Sequence, residues 1–133
     1  MASYGPDGDF NWARCAASWE ARATGVGFLE DGDLVVGGMF FKQITFPLDL
    51  GGDELTLYAP WQENCKGTCY SGALFLASYE PDGDFRWAVT TGNPSIDDHS
   101  WANGLGVSPD GEVWVDGGVR GQSLFGDGED DPI

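Results

Sequence analysis

The amino-acid sequence predicts an all-β fold, and three of its features carry that prediction. Glycine is abundant, at 21 of 133 residues, and shows no collagen period, which indicates many turns between short strands. Asp-Gly pairs separate apolar runs, as they do in β-hairpins, where glycine takes a positive φ at little cost. No segment shows a helical apolar period over ten or more residues. A chain of this length is sufficient for one stable core.

Two hairpins are predicted from the way the apolar runs are joined. The runs "ALFLASY" and "DFRWAVT" are joined by "EPDG", and "NGLGVS" and "EVWVDGG" are joined by "PDG". Together they form a predicted unit of four strands. Most of the predicted strands of the chain carry an aromatic residue suited to packing between such units: Phe10, Trp12, Phe85, Trp87 and Trp114.

This unit occurs twice in the chain. The segments "ASYGPDGDFNWA" (2–13) and "ASYEPDGDFRWA" (77–88) differ only at Gly5 against Glu80 and at Asn11 against Arg86. Three further blocks follow in the same order: "ATGVG" with "ANGLG", "EDGDLVVGG" with "PDGEVWVDGG", and "QITF" with "QSLF". Tandem four-stranded antiparallel units are the blades of a β-propeller, so the sequence predicts propeller-like blades.

The blocks resemble the bacterial β-propeller repeat family often labelled SBBP. Units of that family contain an apolar strand, Asp-x-Gly, Trp-Ala, a glycine-rich segment, Asp-Gly-(Asn/Glu)-Val-x-Val-x-Gly and a closing Phe-Gly. The second copy supplies "YEPDGDFRWA", "GVSPDGEVWVDGG" and "LFG", and the first supplies "YGPDGDFNWA", "GFLEDGDLVVGG" and "TF". The first copy departs from the pattern by ending in Phe46-Pro47. The resemblance covers most of the chain and implies a secreted or cell-surface bacterial protein.

The repeat divides the chain into two predicted blade units, residues 1–46 and 72–133, the second with an acidic tail. Residues 47–71 form a predicted insertion between them. Two units cannot close a propeller of about four to eight blades. The first unit also lacks most of the strand that corresponds to residues 72–76. We therefore expect further blades of a longer chain, or a homo-oligomer of this chain, to cover the open edges.

The charge balance excludes one class of partner. The chain has 22 acidic against 6 basic residues and a formal net charge of −16. Nucleic-acid binding is excluded because it requires cations that neutralise phosphates. Anionic membrane surfaces are disfavoured for the same reason. No apolar run of about 18 residues is present, so no membrane insertion is expected. The first residues have neither the basic nor the apolar region of a signal peptide.

The cysteines suggest one local disulfide. Cys65 and Cys69 frame the glycine-containing stretch "CKGTC", whose flexibility can bring two Cβ atoms together. A pair of reduced loop thiols is the alternative. A disulfide would indicate an oxidising compartment and would leave Cys15 as a buried, unpaired thiol. A single histidine and the unusual cysteine spacing argue against a zinc site.

Aspartate-rich segments are the candidate metal ligands. Asp7 and Asp9 place oxygens as at the start of an EF-hand loop, but Trp12 takes the position of the required glycine. Asp127 and Asp130 in "GDGEDD" form the second candidate set. A hairpin turn and a solvated acidic terminus explain both segments without an ion. No cofactor is therefore predicted, and calcium is the alternative.

No catalytic constellation is predicted. His99 lies beside two aspartates in "SIDDHSW", but neighbours within one loop seldom form a catalytic triad, so a polar loop is the simpler interpretation. Trp19, Trp61 and Trp101 are predicted in loops, where aromatic faces can stack on sugars; ordinary loop packing is the alternative. The sequence favours a non-catalytic structural or interaction module. A carbohydrate-binding or hydrolase-type propeller, using these tryptophans and His99, is the runner-up.

Overall fold

The fold consists of antiparallel β-strands, and the described residues contain no helix. The computed structural model describes residues 1–48, 52–61, 66 and 70–125. Its strands are β1 (Ala2–Tyr4), β2 (Phe10–Ala13), β3 (Ala17–Phe28), β4 (Leu34–Pro47), β5 (Glu54–Tyr58), β6 (Gly72–Tyr79), β7 (Phe85–Thr90), β8 (His99–Val107) and β9 (Val113–Arg120). The all-β prediction is confirmed. Within the described ranges, no helix has the length and apolar character needed to cross a membrane.

A central sheet is built around β4, in the order β3–β4–β6–β7. One edge of β4 pairs with β3 along nearly its whole length. The other edge pairs first with β6, through residues 34–41, and then with β5, through residues 43–47. Lys42 lies between these two stretches and has a φ of 63°. This left-handed residue marks the point where β4 changes its partner.

The four hairpin turns share one hydrogen-bonding pattern. The glycines Gly8, Gly32, Gly83 and Gly111 have φ values of 88°, 90°, 93° and 85°. Each glycine donates its N–H to the carbonyl of the residue three positions earlier. That residue donates its own N–H to the carbonyl of the residue that follows the glycine. Positive φ is the conformation for which glycine is required, so the Asp-Gly pairs act as the sequence predicts. The predicted hairpins β6–β7 and β8–β9 are both confirmed.

The central sheet combines strands from both copies of the repeat. Strands β3 and β4 belong to the first copy, and β6 and β7 belong to the second. The repeat predicts that the two hairpins of one copy form one sheet, but β7 and β8 do not pair within the described part of the chain. The pairing of β4 with β6 brings together the two most apolar strands of the chain, which buries side chains on both of their faces.

Two hairpins cover opposite faces of the central sheet, which gives three layers. We call the face that carries Leu34, Val36 and Tyr79 the first face, and the opposite face the second face. The hairpin β1–β2 packs on the first face, where Trp12 joins the buried cluster. The hairpin β8–β9 packs on the second face, where Leu105 approaches the sheet backbone. The main apolar core lies between β1–β2 and the first face.

Candidate functional site

Three aromatic side chains surround the ammonium group of Lys42. Its Nζ lies 4.6 Å from the ring centroid of Trp19, 5.7 Å from that of Trp61 and 6.0 Å from that of Tyr70. The rings of Trp19 and Tyr70 meet edge to face at 4.7 Å. Such cation–π contacts are favourable because the negative faces of the rings attract the cation. We call these four residues the Lys42 cluster.

An irregularity in β4 positions the Lys42 cluster. Ser18 pairs with Ile44 and Glu20 pairs with Phe41, so the single residue Trp19 lies opposite Lys42 and Gln43, and β4 carries the extra residue of a bulge. The positive φ of Lys42 lies within this bulge. Trp61 and Tyr70 form an isolated bridge after β5. The bulge and the positive φ therefore direct distant residues toward one point. The prediction that Trp19 lies in a loop is wrong, since it lies on a strand.

His99 and Trp101 are placed elsewhere, at the start of β8. Nδ1 of His99 accepts a hydrogen bond of 3.0 Å from the N–H of Gly72. The ring of Trp101 packs against Gly118 so closely that a Cβ there would overlap it. Trp101 thus also lies on a strand rather than in a loop. Of the four predicted ligand-binding residues, the structure brings Trp19 and Trp61 together around Lys42.

A buried polar network near His99 was not predicted. Its centre is Asn93, whose Nδ2 donates to Ser71 Oγ at 2.7 Å and to the carbonyl of Gly72 at 2.8 Å. Ser123 Oγ donates to Asn93 Oδ1 at 2.9 Å. The network joins β6 to the segment that follows β9, and so ties β8–β9 to the central sheet. Its members are separated widely along the chain, and no short motif links them.

One buried carboxylate pairs with a cation at the start of β4. Asp33 is buried, and its Oδ2 lies 2.9 Å from Nη1 of Arg86. The same guanidinium lies 3.8 Å from Oε1 of Glu80. Glu80 and Arg86 are the residues that distinguish the second copy of the twin segment from the first. The first copy has Gly5 and Asn11 at these positions and has no buried aspartate beside it within the described residues.

The predicted metal ligands Asp7 and Asp9 lie in the turn between β1 and β2. The N–H of Gly5 donates to the carbonyl of Asp9 at 2.7 Å, as a hairpin turn requires. Within the described ranges, no three His, Cys, Asp or Glu side chains group around a common point. Asp127 and Asp130 lie outside the described residues, so calcium binding there stays a prediction.

The predicted cysteine pair, Cys65 and Cys69, also lies outside the described residues, and the disulfide stays a prediction. Cys15 is a free thiol. Its predicted burial is wrong, because Cys15 is exposed in the short link between β2 and β3.

Several exposed apolar residues have buried counterparts in the other copy of the repeat. Tyr4 is 62% exposed, whereas its counterpart Tyr79 is 4% exposed. Trp114 is 65% exposed, whereas its counterpart Val35 is fully buried. Trp87 is likewise exposed where Trp12 is buried. The difference between the copies is therefore in their neighbours rather than in their sequences.

A groove lies beside β1 on the first face. It has a volume of about 620 Å³ and is lined on one side by Ala2 and Tyr4. Its other side is formed by β3 and β4, including the exposed side chains of Val26 and Phe28. The groove leaves apolar side chains of the first face uncovered, among them Val26 and Phe28.

Comparisons with protein-family models, curated proteins and solved structures found no match to this chain.

Proposed function

We propose that the chain is a non-catalytic structural or interaction module made of β-propeller-type repeat units, secreted or at the cell surface of a bacterium, and completed by further units of the same kind. The observation that carries this proposal is the burial difference between the copies. Apolar residues covered by a neighbouring layer in one copy, such as Tyr79 and Val35, have exposed counterparts in the other. Exposed apolar faces of this kind mark interaction surfaces.

The stacking of the layers supports the proposal, because the two contacts between layers use corresponding residues of the repeat unit. Leu105 of β8–β9 corresponds to Val26 on the first face, and it packs on the second face of the central sheet. Trp12 of β1–β2 corresponds to Trp87 on the second face, and it packs on the first face of the central sheet. In both contacts, the side of one layer that corresponds to the second face meets the side of the next layer that corresponds to the first face, as in consecutive propeller blades.

The polar groups near His99 support a structural role for this region. His99 accepts a backbone hydrogen bond, and Ser100 Oγ accepts one of 3.1 Å from the N–H of Leu74. Asp98 Oδ1 accepts one of 2.9 Å from the N–H of Gln122. The side chains of Asp98, His99 and Ser100 are thus engaged in holding β8 and its neighbours together.

The proposal is tested by joining two copies of the sequence in one polypeptide through a flexible glycine–serine linker. The one junction then places the β8–β9 hairpin of the first copy next to the β1–β2 hairpin of the second copy. We expect a higher denaturation midpoint for the joined form than for the single chain, measured in urea at equal mass concentration. Equal midpoints, with independent unfolding of the two copies, would show that the exposed faces are not unit-to-unit contacts.

The Lys42 cluster favours carbohydrate binding as a second candidate function. Exposed aromatic rings that surround a cation suit a sugar that carries a carboxylate, since the rings can stack on the sugar and the ammonium can pair with the anion. Titration of tryptophan fluorescence with uronic-acid oligosaccharides tests this function. Saturable quenching that Trp19→Ala removes and Trp114→Ala retains would support it, and no saturable change would exclude this class of ligand.

A further inference from the structure

The groove beside β1 has the position of a missing hairpin. Its floor consists of side chains on β3 and β4, and its wall is β1. β1 pairs with β2 along one edge, and its other edge has no strand partner in the described part of the chain. That free edge faces a space whose floor is apolar, including Val26 and Phe28.

The hairpin β8–β9 contains the counterparts of these two floor residues and shows how such side chains are covered. Leu105 and Val107 of β8 stand 79 residues after Val26 and Phe28, and they are only partly exposed because they pack on the central sheet. A Cβ added at Gly25 would lie 2.8 Å from Cβ of Leu105. One added at Gly27 would lie 2.5 Å from Cγ2 of Val107. The absence of side chains at these glycines is what allows β8 to approach.

The outer side of β8–β9 repeats this pair of glycines. Gly104 and Gly106 stand 79 residues after Gly25 and Gly27. A Cβ built at Gly104 would meet Oδ1 of Asp116 on the paired strand at 2.5 Å, whereas no atom lies within 4 Å of a Cβ built at Gly106. Trp114, which lies opposite Gly106 in the hairpin, is exposed. The chain therefore presents an uncovered surface at Gly106 and Trp114 on β8–β9 and, on β3, the apolar side chains that fit such a surface.

We infer that two copies of this chain associate head to tail, so that the β8–β9 hairpin of one copy fills the groove beside β1 of the next. This inference rests on the proposed function and names the partner as a second copy of the same chain. Val26 and Phe28 of one copy pack on Gly104 and Gly106 of the other, and they cover Trp114.

The existing pairing of β4 with β6 gives the register of the new contact. In that pair Leu34 lies opposite Tyr79, and Val36 lies opposite Ala77. Transferred to the equivalent strands, Val113 and Val115 of one copy lie opposite Tyr4 and Ala2 of the next. β9 and β1 then form the centre of a four-stranded antiparallel sheet made from two hairpins of two chains. The unpaired backbone groups of both edges become hydrogen-bonded.

The contact is heterologous, because the two copies contribute different surfaces. A heterologous contact forms a ring if its rotation closes and a filament if it does not. The inference therefore predicts assembly beyond a dimer at high concentration, with β1 and β9 as the two ends of every open assembly.

Sedimentation velocity over a concentration series tests the inference on the unmodified chain and on substitutions. We expect reversible assembly, weakened at least tenfold by Trp114→Ser and by Gly106→Val. Tyr58→Ser is the matched control, because Tyr58 is an equally exposed aromatic residue on β5, away from the proposed contact. Thermal unfolding of each dilute variant shows that its fold is retained.

A substitution that should strengthen association provides a second test, because its expected effect cannot arise from a loss of folding. Asn11 corresponds to Arg86, and Glu112 stands at the position of Asp33, so the proposed contact places Asn11 beside Glu112 of the other copy. Asn11→Arg should strengthen association about fivefold by forming the equivalent ion pair. Glu112→Gln in the same chain should cancel that gain.

Two outcomes would overturn the inference. One is a chain that remains monomeric up to about millimolar concentration, where even weak specific association is detectable. The other is association that Tyr58→Ser reduces as much as Trp114→Ser does. If the chain is monomeric while the two-copy polypeptide is stabilised, the association of separate chains is wrong, and the proposed module function stands because units within one chain still pack. If neither is observed, both proposals are wrong.

Discussion

At the scale of single residues, the two positions that distinguish the twin segments determine where the charge is buried. Arg86 pairs with the buried carboxylate of Asp33 and also lies near Glu80. A buried carboxylate that loses its cation keeps its desolvation cost without compensation. The second copy therefore requires Arg86, whereas among the described residues no buried carboxylate lies beside Asn11, the residue at that position in the first copy.

Replacing this cation should lower stability. Arg86→Asn, which gives the second copy the residue of the first, should reduce the free energy of unfolding by about 1–2 kcal/mol, since the guanidinium is partly exposed and solvent weakens the pair. Urea denaturation measures the effect. Arg22→Asn is the control, because Arg22 lies 3.7 Å from Glu20 at the surface. A loss as small as that of the control would contradict the role of the Asp33 ion pair.

At the same scale, the buried phenol of Tyr79 makes the stability of the protein depend on pH. Burial raises the pKa of the Tyr79 phenol above its ordinary value of 10.0, and the nearby charge of Arg14 opposes part of that rise. The folded state therefore holds the proton more tightly than the unfolded state, and stability falls as pH rises through 10 and the raised folded pKa. Tyr79→Phe should lose less stability between pH 9 and pH 11 than the unmodified protein. Tyr58→Phe is the control, and equal pH profiles for Tyr79→Phe and the unmodified protein would contradict the expectation.

At the scale of elements, the turns were predictable and the pairing of hairpins was not. Each Asp-Gly turn specifies its own hairpin through local backbone geometry, so β6–β7 and β8–β9 follow from neighbouring residues. The pairing of β4 with β6 depends on which apolar faces meet across a long connection. That choice is a tertiary one, and repeat boundaries carry no information about it.

The same distinction explains what was missed at the candidate site. Trp19 and Trp61 were singled out as exposed aromatic residues, but Lys42 was not. A bulge in β4, within which Lys42 has a positive φ, brings these residues together, and this irregularity has no glycine or proline that would mark it in the sequence. Asn93 was missed because its partners come from three separate segments, at residues 71–72, 100 and 123.

The close approach of β8 to the sheet provides a prediction at this scale. A Cβ at Gly25 would lie 2.9 Å from the backbone nitrogen of Leu105, so the β8 backbone would have to move. Gly25→Ala should cost about 1–3 kcal/mol in unfolding free energy, as overpacking does in cores. Gly5→Ala is the control, since its nearest contact would be an ordinary 3.7 Å. Equal stabilities of the two variants in urea would show that β8–β9 can shift without cost.

At the scale of the whole molecule, net charge opposes the contacts proposed above. A formal charge of −16 on 133 residues repels both the parts of one chain and the copies of the chain from each other. Association must therefore depend on matched surfaces, such as the uncovered surface at Gly106 and Trp114 on β8–β9 and the groove beside β1. Since the acidic residues lie mainly at the surface, added salt should weaken the repulsion while leaving apolar packing in place.

Stability and assembly should both increase with ionic strength. Raising NaCl from about 20 mM to about 300 mM shortens the Debye length from roughly 20 Å to below 10 Å, which screens repulsion between surface carboxylates. We expect a higher thermal midpoint and a larger sedimentation coefficient at the higher salt concentration. CaCl₂ at matched ionic strength is the comparison that separates screening from calcium binding. An additional, saturable rise with CaCl₂ that Asp7→Asn or Asp127→Asn reduces would indicate a calcium site, whereas equal effects of the two salts would indicate screening alone. A lower thermal midpoint in NaCl would contradict the expectation, because it would mean that attractive surface ion pairs, such as Arg14 with Asp84 at 3.3 Å, outweigh the repulsion among the carboxylates.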